Sequence, residues 1–241
     1  MNVAVLMPAF DEGERLTASL ADLATARGDT SITVFVVDDG GRVPIEKEEL
    51  SKAARGIRVV LARHAVNLGQ GAALETARRL ALDPRFSTPK FDAFVTMDAD
   101  GQHRAEDALA LAEAVTKGAD VALGDRFAGN SNVPAGRRAL LALARVFERI
   151  TTGLTLSDAH NGLRAFSPAA ITAIKMTQNR MAHATELTRR IAYAKLSVTE
   201  VPVSVRYTKD SLAKGQSATG AIAILADLFR GFLFSDPRDS R

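Results

Sequence analysis

Phe94-Val95-Thr96-Met97-Asp98-Ala99-Asp100-Gly101-Gln102-His103 is the stretch that decides how this chain is read. Its apolar start, 94–97, ends abruptly in two carboxylates with one small residue between them. A buried strand of an α/β protein delivers polar groups to the carboxyl edge of its sheet in this way, and ligands bind at that edge. Two hard oxygen donors held this close, Asp98 and Asp100, suit Mg²⁺ or Mn²⁺, and such an ion suits a diphosphate. The competing reading is a solvated Asp-x-Asp turn; the apolar run in front of the acids favours the site.

Working outward, strand-like apolar runs at 3–7, 32–37, 57–61, 93–97 and 121–123 alternate with helix-like patterns at 12–26, 44–54, 71–82 and 105–117. Continuous Val/Ile/Leu runs fit strands covered on both faces, and the alternation implies parallel pairing through right-handed crossovers. The fold class is therefore α/β, a doubly wound, mostly parallel sheet with helices on both faces. Beyond a loop-like stretch at 129–136 the pattern predicts a helix over 137–152, a strand-like segment at 158–166, a helix over 181–194 and a strand over 196–207. A last, apolar helix is expected at 218–234, followed by a polar tail. No linker, repeat or low-complexity tract interrupts this. The expected organisation is one domain, 1–217, with halves 1–125 and 126–217, then a C-terminal segment, 218–241.

Composition narrows the partners. The chain has 241 residues, 46% hydrophobic and 24% charged, enough for a packed core. It contains no cysteine, which excludes disulfides and cysteine-ligated zinc. The formal charge is +3 and the sequence pI about 9.4, a balance that admits an anionic substrate or membrane surface. No dense basic helix or RNA-binding aromatic motif is present, so a nucleic-acid partner is not expected. The start, Met1 to Pro8, reads as a strand rather than a leader, and no apolar run reaches the roughly 20 residues that span a bilayer. The expectation is a cytoplasmic protein, soluble or peripheral on the inner face of the cell membrane, for which a homodimer is a compatible assembly.

Two further strand ends carry polar groups. The first run ends in Pro8-Ala9-Phe10-Asp11-Glu12-Gly13 and the second in Asp38-Asp39-Gly40-Gly41. Adjacent strand ends converge at one crevice, so these acids can share a ligand with Asp98 and Asp100; helix capping or turn chemistry is the alternative for Glu12 and Asp39, and Asp38 is a candidate loop brace. His64-Ala65-Val66-Asn67-Leu68-Gly69-Gln70-Gly71 follows the third run and opens a helix. Its glycines allow close backbone approach to a ligand and a helix start favours an anion, which makes Asn67 and Gly71 candidates for the same crevice. It is neither a P-loop nor a full dinucleotide fingerprint.

Taken in order, Pro-Ala-Phe-Asp-Glu, Val-Asp-Asp-Gly, Asn-Leu-Gly-Gln-Gly and Asp-Ala-Asp-Gly-Gln-His form a set, and over residues 2–217 the chain resembles inverting family 2 glycosyltransferases with a GT-A fold. Within them it is similar to the branch containing polyprenyl-phosphate (dolichyl-phosphate) mannose and glucose synthases. The resemblance implies a nucleotide-diphosphate sugar as donor, a divalent cation held by Asp98, Asp100 and Gln102, and a nucleotide pocket lined by Pro8, Ala9, Glu12 and Asp39; Asp98 and Ala99 also belong to the expected nucleotide-sugar contacts. The family often has Lys where this chain has Gln70. Further matches are Gly124-Asp125-Arg126-Phe127, with Asp125 in place of Ser, then Arg137-Arg138, and Asp158-Ala159-His160-Asn161-Gly162-Leu163-Arg164, which departs at Asn161 and Leu163. The closing basic loop corresponds to Arg206-Tyr207 and Lys214-Gly215-Gln216-Ser217.

Arginine offers a rigid fork of donors that grips phosphate oxygens in pairs. Arg126 and Arg138 are the candidates for an acceptor phosphate, and Arg206 and Lys214 for closing over the donor diphosphate or helping to hold the acceptor. Asp158 is a candidate for orienting the sugar or acting as a base, and Glu186 is a second acid. A lipid-phosphate acceptor needs little deprotonation, whereas a glycan hydroxyl needs a carboxylate base within hydrogen-bond reach. His103 adjoins the acids; His64, His160 and His183 read as structural. The apolar 221–234 segment is too short to cross a bilayer and suits either an interfacial helix or packing on the core or a second copy.

Overall fold

The computed structural model describes residues 1–129, 142, 145, 146, 149–158, 161–178 and 182–206. In chain order these form β1 (Asn2–Ala9), α1 (Glu14–Ala26), β2 (Ser31–Asp38), α2 (Lys47–Ala54), β3 (Arg58–Arg63), α3 (Gln70–Leu82), β4 (Ala93–Thr96), α4 (Ala105–Thr116), β5 (Val121–Asp125), β6 (Arg164–Phe166), α5 (Pro168–Ala173), α6 (Ala182–Tyr193) and β7 (Val198–Pro202). The strands make one seven-stranded sheet in the order β3-β2-β1-β4-β6-β5-β7. β6 is antiparallel to both its neighbours and every other pairing is parallel. The chain winds outward from β1 to β3 and then returns to lay β4 on the other side of β1. That reversal opens a crevice at the carboxyl ends of β1 and β4, where an open α/β sheet binds ligands.

Side-chain alternation explains why both faces are covered. Along β1, Val3, Val5 and Met7 enter one core and Ala4 and Leu6 the other. The first core receives Leu16, Leu20 and Leu23 of α1, Leu50 of α2 and Leu111 of α4. The i, i+4, i+7 spacing in α1 puts its three leucines on one stripe. The second core receives Leu74 and Ala77 of α3, Ile171 of α5 and Leu187 and Ile191 of α6 around Phe35, Phe91, Phe94 and Phe166. Phe35 meets Phe91 edge to face at 5.9 Å between centroids, and Phe91 meets Phe94 at 5.6 Å. Each such buried side chain stabilises the fold by about 1.5–3 kcal/mol.

Two strands are shorter than their sequence patterns predict. The segment expected at 158–166 pairs only at Arg164–Phe166, because side chains take up the backbone before it: Asn161 Oδ1 accepts from Leu163 N at 3.0 Å, and Glu200 accepts from Asp158 N at 3.3 Å. The segment expected at 196–207 pairs at Val198–Pro202 and then leaves the sheet, Arg206 N donating to Gln102 O at 2.9 Å. Residues 149–152 are helical, within the helix expected at 137–152; most of that helix, and the one expected at 218–234, lie outside the described residues.

Candidate active site

Four strand ends meet around a cavity of about 480 Å³. Pro8, Ala9, Phe10 and Glu12 come from the end of β1, Asp39 follows β2, Asn67, Gly69 and Gln70 lead into α3, and Asp98, Ala99 and Asp100 follow β4. A second cavity of about 210 Å³ lies against it and shares Gln70, Asp98 and Asp100 as a common wall. Its remaining lining includes Gln102, His103, Arg126, Gly162, Arg164 and His183. One side of the acid pair is thus a cleft with few basic groups, and the other is rich in arginine and histidine.

The acids after β2 hold the loops in place. Asp38 pairs with Arg63, and its Oδ1 accepts from Gly41 N at 2.9 Å. Asp39 Oδ1 accepts from Leu68 N at 2.9 Å, its Oδ2 accepts from Gly69 N at 2.8 Å, and His64 Nδ1 lies 2.7 Å from Oδ1. Asp39 therefore clamps the turn that starts α3 while lining the larger cavity. Gly40 (φ +72) is required beside it, since a Cβ there would lie 2.5 Å from the Val66 carbonyl carbon.

The acids after β4 bond mainly to side chains, with one backbone donor. Gln70 Nε2 donates to Asp98 Oδ1 at 2.7 Å, and His103 Nε2 lies 3.4 Å from Asp98 Oδ2. Gln102 N donates to Asp100 Oδ1 at 3.0 Å, and its amide also reaches Asp100 Oδ2. Asp98 keeps 30% of its side-chain surface exposed. Burial works against its charge, but the hydrogen bond and charge of His103, with His183 and Arg164 behind, hold its carboxyl below the usual range. Burial and the adjacent Asp98 charge push Asp100 the other way, above the usual carboxylate value. One acid held down and its neighbour pushed up is what two carboxylates sharing one site produce. Among the described residues no three or more His, Cys, Asp or Glu side chains form a metal cage. The protein's share of a cation site here is two hard carboxylates facing open space, a donor set that fits an ion completing its shell with phosphate oxygens and water.

Several residues singled out from the sequence have other surroundings. Gly71 does not line the larger cavity; it is packed so tightly that a Cβ would lie 2.1 Å from Gln178 O, so it seats α3 on the segment before α6. Arg126 lines the second cavity, and its Nε contacts Asp158 Oδ2 at 2.5 Å, both side chains being buried. Asp158 also accepts from Asn161 Nδ2 at 3.3 Å, and its Oδ1 is buried without a hydrogen-bond partner among the described residues. Glu12 lines the larger cavity and pairs with Arg15 at 2.8 Å. Arg206 is 57% exposed, pairs with Asp22 at 3.6 Å and lines neither cavity. Glu186 is buried and accepts from Thr177 N, Gln178 N and the Arg190 guanidinium, which makes it a brace for the 177–178 turn. Arg138 and Lys214 lie outside the described residues.

Sequence reasoning missed the steric part of the site. Gly162 faces Asp98 so closely that a Cβ would be 2.3 Å from Asp98 Oδ2. Phe10, Gly69 and Gln70 line the larger cavity, and Arg164 and His183 the smaller. Phe10 was legible as an aromatic placed directly after a strand; the approach of Gly162 to Asp98, 64 positions earlier, had no sequence signal.

A match to the family described as Glycosyl transferase family 2 spans residues 4–174. The chain belongs to that family. It is a glycosyltransferase, similar to enzymes that glycosylate lipid phosphates. The undecaprenyl-phosphate mannosyltransferase of Micrococcus luteus is 27% identical over 92% of this chain and 90% of its own. The UDP-N-acetylglucosamine–dolichyl-phosphate N-acetylglucosaminyltransferase of Methanococcus voltae is 25% identical over 88% of this chain and 89% of its own. The sheet and its helices match solved GT-A glycosyltransferases. One is the glucosyl-3-phosphoglycerate synthase of Mycobacterium tuberculosis, solved with Mn²⁺, uridine-diphosphate-glucose and phosphoglyceric acid. It superposes with a TM-score of 0.63 at 16% identity, covering 98% of this chain and 81% of that one.

Proposed function

We propose that this glycosyltransferase is a metal-dependent, inverting enzyme that moves a sugar from a nucleotide-diphosphate sugar to a polyprenyl-phosphate-type lipid. The observation that carries the proposal is the wall shared by two cavities, in which Asp98 and Asp100 separate an open cleft from a pocket lined by Arg126, Arg164, His103 and His183. The nucleotide lies in the larger cavity against Pro8, Ala9, Glu12, Asn67 and Asp39. Asp98, Asp100 and Gln102 would hold Mg²⁺ or Mn²⁺, and the ion would supply positive charge to neutralise the leaving diphosphate. The acceptor group enters from the basic pocket, where Arg126 orients it, with Arg138 and Lys214 completing the phosphate contacts. Its oxygen attacks the anomeric carbon on the face opposite the diphosphate. The new C–O bond forms as the C–O bond to the diphosphate breaks, and the electron pair leaves with the diphosphate.

The surroundings of Asp158 favour a phosphate over a hydroxyl acceptor. A hydroxyl needs a base in reach, and Asp158 is buried, bonded to Arg126 and absent from the lining of both cavities. A phosphate is already anionic at neutral pH. The relatives named above fit this reading, since one name gives undecaprenyl phosphate with mannose and the other dolichyl phosphate with N-acetylglucosamine. The apolar composition of 221–234 suits contact with the membrane in which such an acceptor sits. Incubating the full chain with labelled nucleotide sugars, Mn²⁺ and a short polyprenyl phosphate tests the proposal. The expected product is an organic-soluble, acid-labile glycosyl phosphate; a product stable to mild acid, formed only on a glycan, would replace the lipid acceptor with a sugar hydroxyl.

A further inference from the structure

We infer that Gln70 is a positioning residue of the cation site: it holds Asp98 through a neutral donor and thereby sets how tightly the acid pair takes up a divalent ion. This inference rests on the metal-dependent reading above. Three independent features support it. First, Gln70 is placed before any ligand arrives. The turn in front of it is pinned by Asp39, which accepts from Leu68 N and Gly69 N, and the residue behind it, Gly71, is wedged against Gln178 O. The first turn of α3 therefore has little freedom to carry the side chain elsewhere.

Second, Gln70 and Gly162 fix Asp98 from opposite sides. Gln70 Nε2 holds Oδ1 at 2.7 Å, and Oδ2 occupies space that exists only because residue 162 has no side chain. Metal-ligating carboxylates are usually oriented by such outer partners, whose removal typically costs roughly 10–100-fold in metal affinity. Third, the donor is uncharged. A cationic side chain in the same place would offset the charge of Asp98 and repel an arriving cation at a few ångströms. An amide orients the carboxylate and leaves its full charge to the ion. Gln70 also lines both cavities, so its amide lies where the donor diphosphate and the acceptor approach each other.

The test is direct Mn²⁺ binding, followed through the electron paramagnetic resonance signal of free Mn²⁺, for the wild-type chain, Q70L and Q70K, each with and without uridine or guanosine diphosphate. Q70L keeps the size and removes the donor; Q70K keeps a donor and adds charge. The expected result is an Mn²⁺ dissociation constant roughly tenfold higher for Q70L and higher still for Q70K, with unchanged thermal melting in the absence of metal. A merely structural role for Gln70 would move the melting and leave the order of the two variants unexplained. Either variant binding Mn²⁺ within about twofold of wild type would overturn the inference. Failure of the wild-type chain to take up Mn²⁺ with either nucleotide would instead remove the metal-dependent reading, and this inference with it.

Discussion

Two acid pairs end neighbouring parts of the same sheet, and the protein uses them differently. Asp38 and Asp39, after β2, are buried and meet backbone N–H groups, Arg63 and His64. Asp98 and Asp100, after β4, bond to the side-chain amides of Gln70 and Gln102 and face two cavities. The first pair builds the rim of the site; the second keeps open space on its cavity side for a cation and phosphate oxygens. Similar sequence signals, adjacent or nearly adjacent acids at a strand end, therefore divide into scaffold and chemistry according to what the surrounding backbone offers.

The contrast breaks most visibly at Asp100. D100A should lower transfer about a thousandfold, the size of loss seen when one stabiliser of transition-state charge is removed, with the folded state unchanged by circular dichroism. Substantial activity in D100A without added metal would put Asp100 on the scaffold side of the division. D39A should do the reverse. It leaves the half-buried Leu68 and Gly69 N–H groups without their acceptor, and a lost hydrogen bond of this kind costs about 1 kcal/mol, so urea unfolding should show a loss of about 2 kcal/mol. A stable D39A protein with only nucleotide affinity reduced would mean that its loop bonds are incidental.

G162A tests the second pair sterically. A methyl group at that position must displace the Asp98 carboxylate, so Mn²⁺ affinity should fall roughly tenfold with little change in nucleotide binding measured without metal. The smallest effect expected is a pH dependence away from the site. Glu75 is pushed up by burial, but Arg78, Met176 N and Arg79 outweigh this and hold it below its usual value. Because the folded state holds Glu75 ionised more firmly than the unfolded one, the stabilisation is present above the unfolded-state value near 4.5 and is lost as pH falls through the folded value. The stability difference between wild type and E75Q should be constant near neutrality and shrink below about pH 4; an unchanging difference down to pH 3 would show that ionisation of Glu75 contributes nothing.

The parallel strands β1 to β5 were readable in the sequence because each contains a run of apolar residues that ends in a polar break; all but the half-buried edge strand β3 are covered on both faces. The Asp-Ala-Asp segment was readable for the same reason. What escaped notice depended on contacts between distant positions. β6 has three residues, too few for any periodicity, and pairs antiparallel to strands the alternation treats as parallel. Gly71 looked like a ligand-approach glycine because it precedes a helix; its requirement comes from Gln178 O, more than a hundred positions later. The buried pairing of Arg126 with Asp158, 32 positions away, likewise left no trace in the sequence pattern.

The place of β6 has a consequence for how the chain acquires its shape. β4 and β5 are not neighbours; β6 lies between them and β7 flanks β5 on the other side. A polypeptide cut after Asp125 therefore retains β1 to β4 as a small sheet but leaves β5 with no hydrogen-bonded companion. Completing that sheet requires pairings of high sequence separation, Val95 with Ala165 among them, and long loops must close before those contacts form. On the ribosome, the edge carrying the acid pair stays open until about forty more residues have emerged, so the nucleotide half matures only with its partner half.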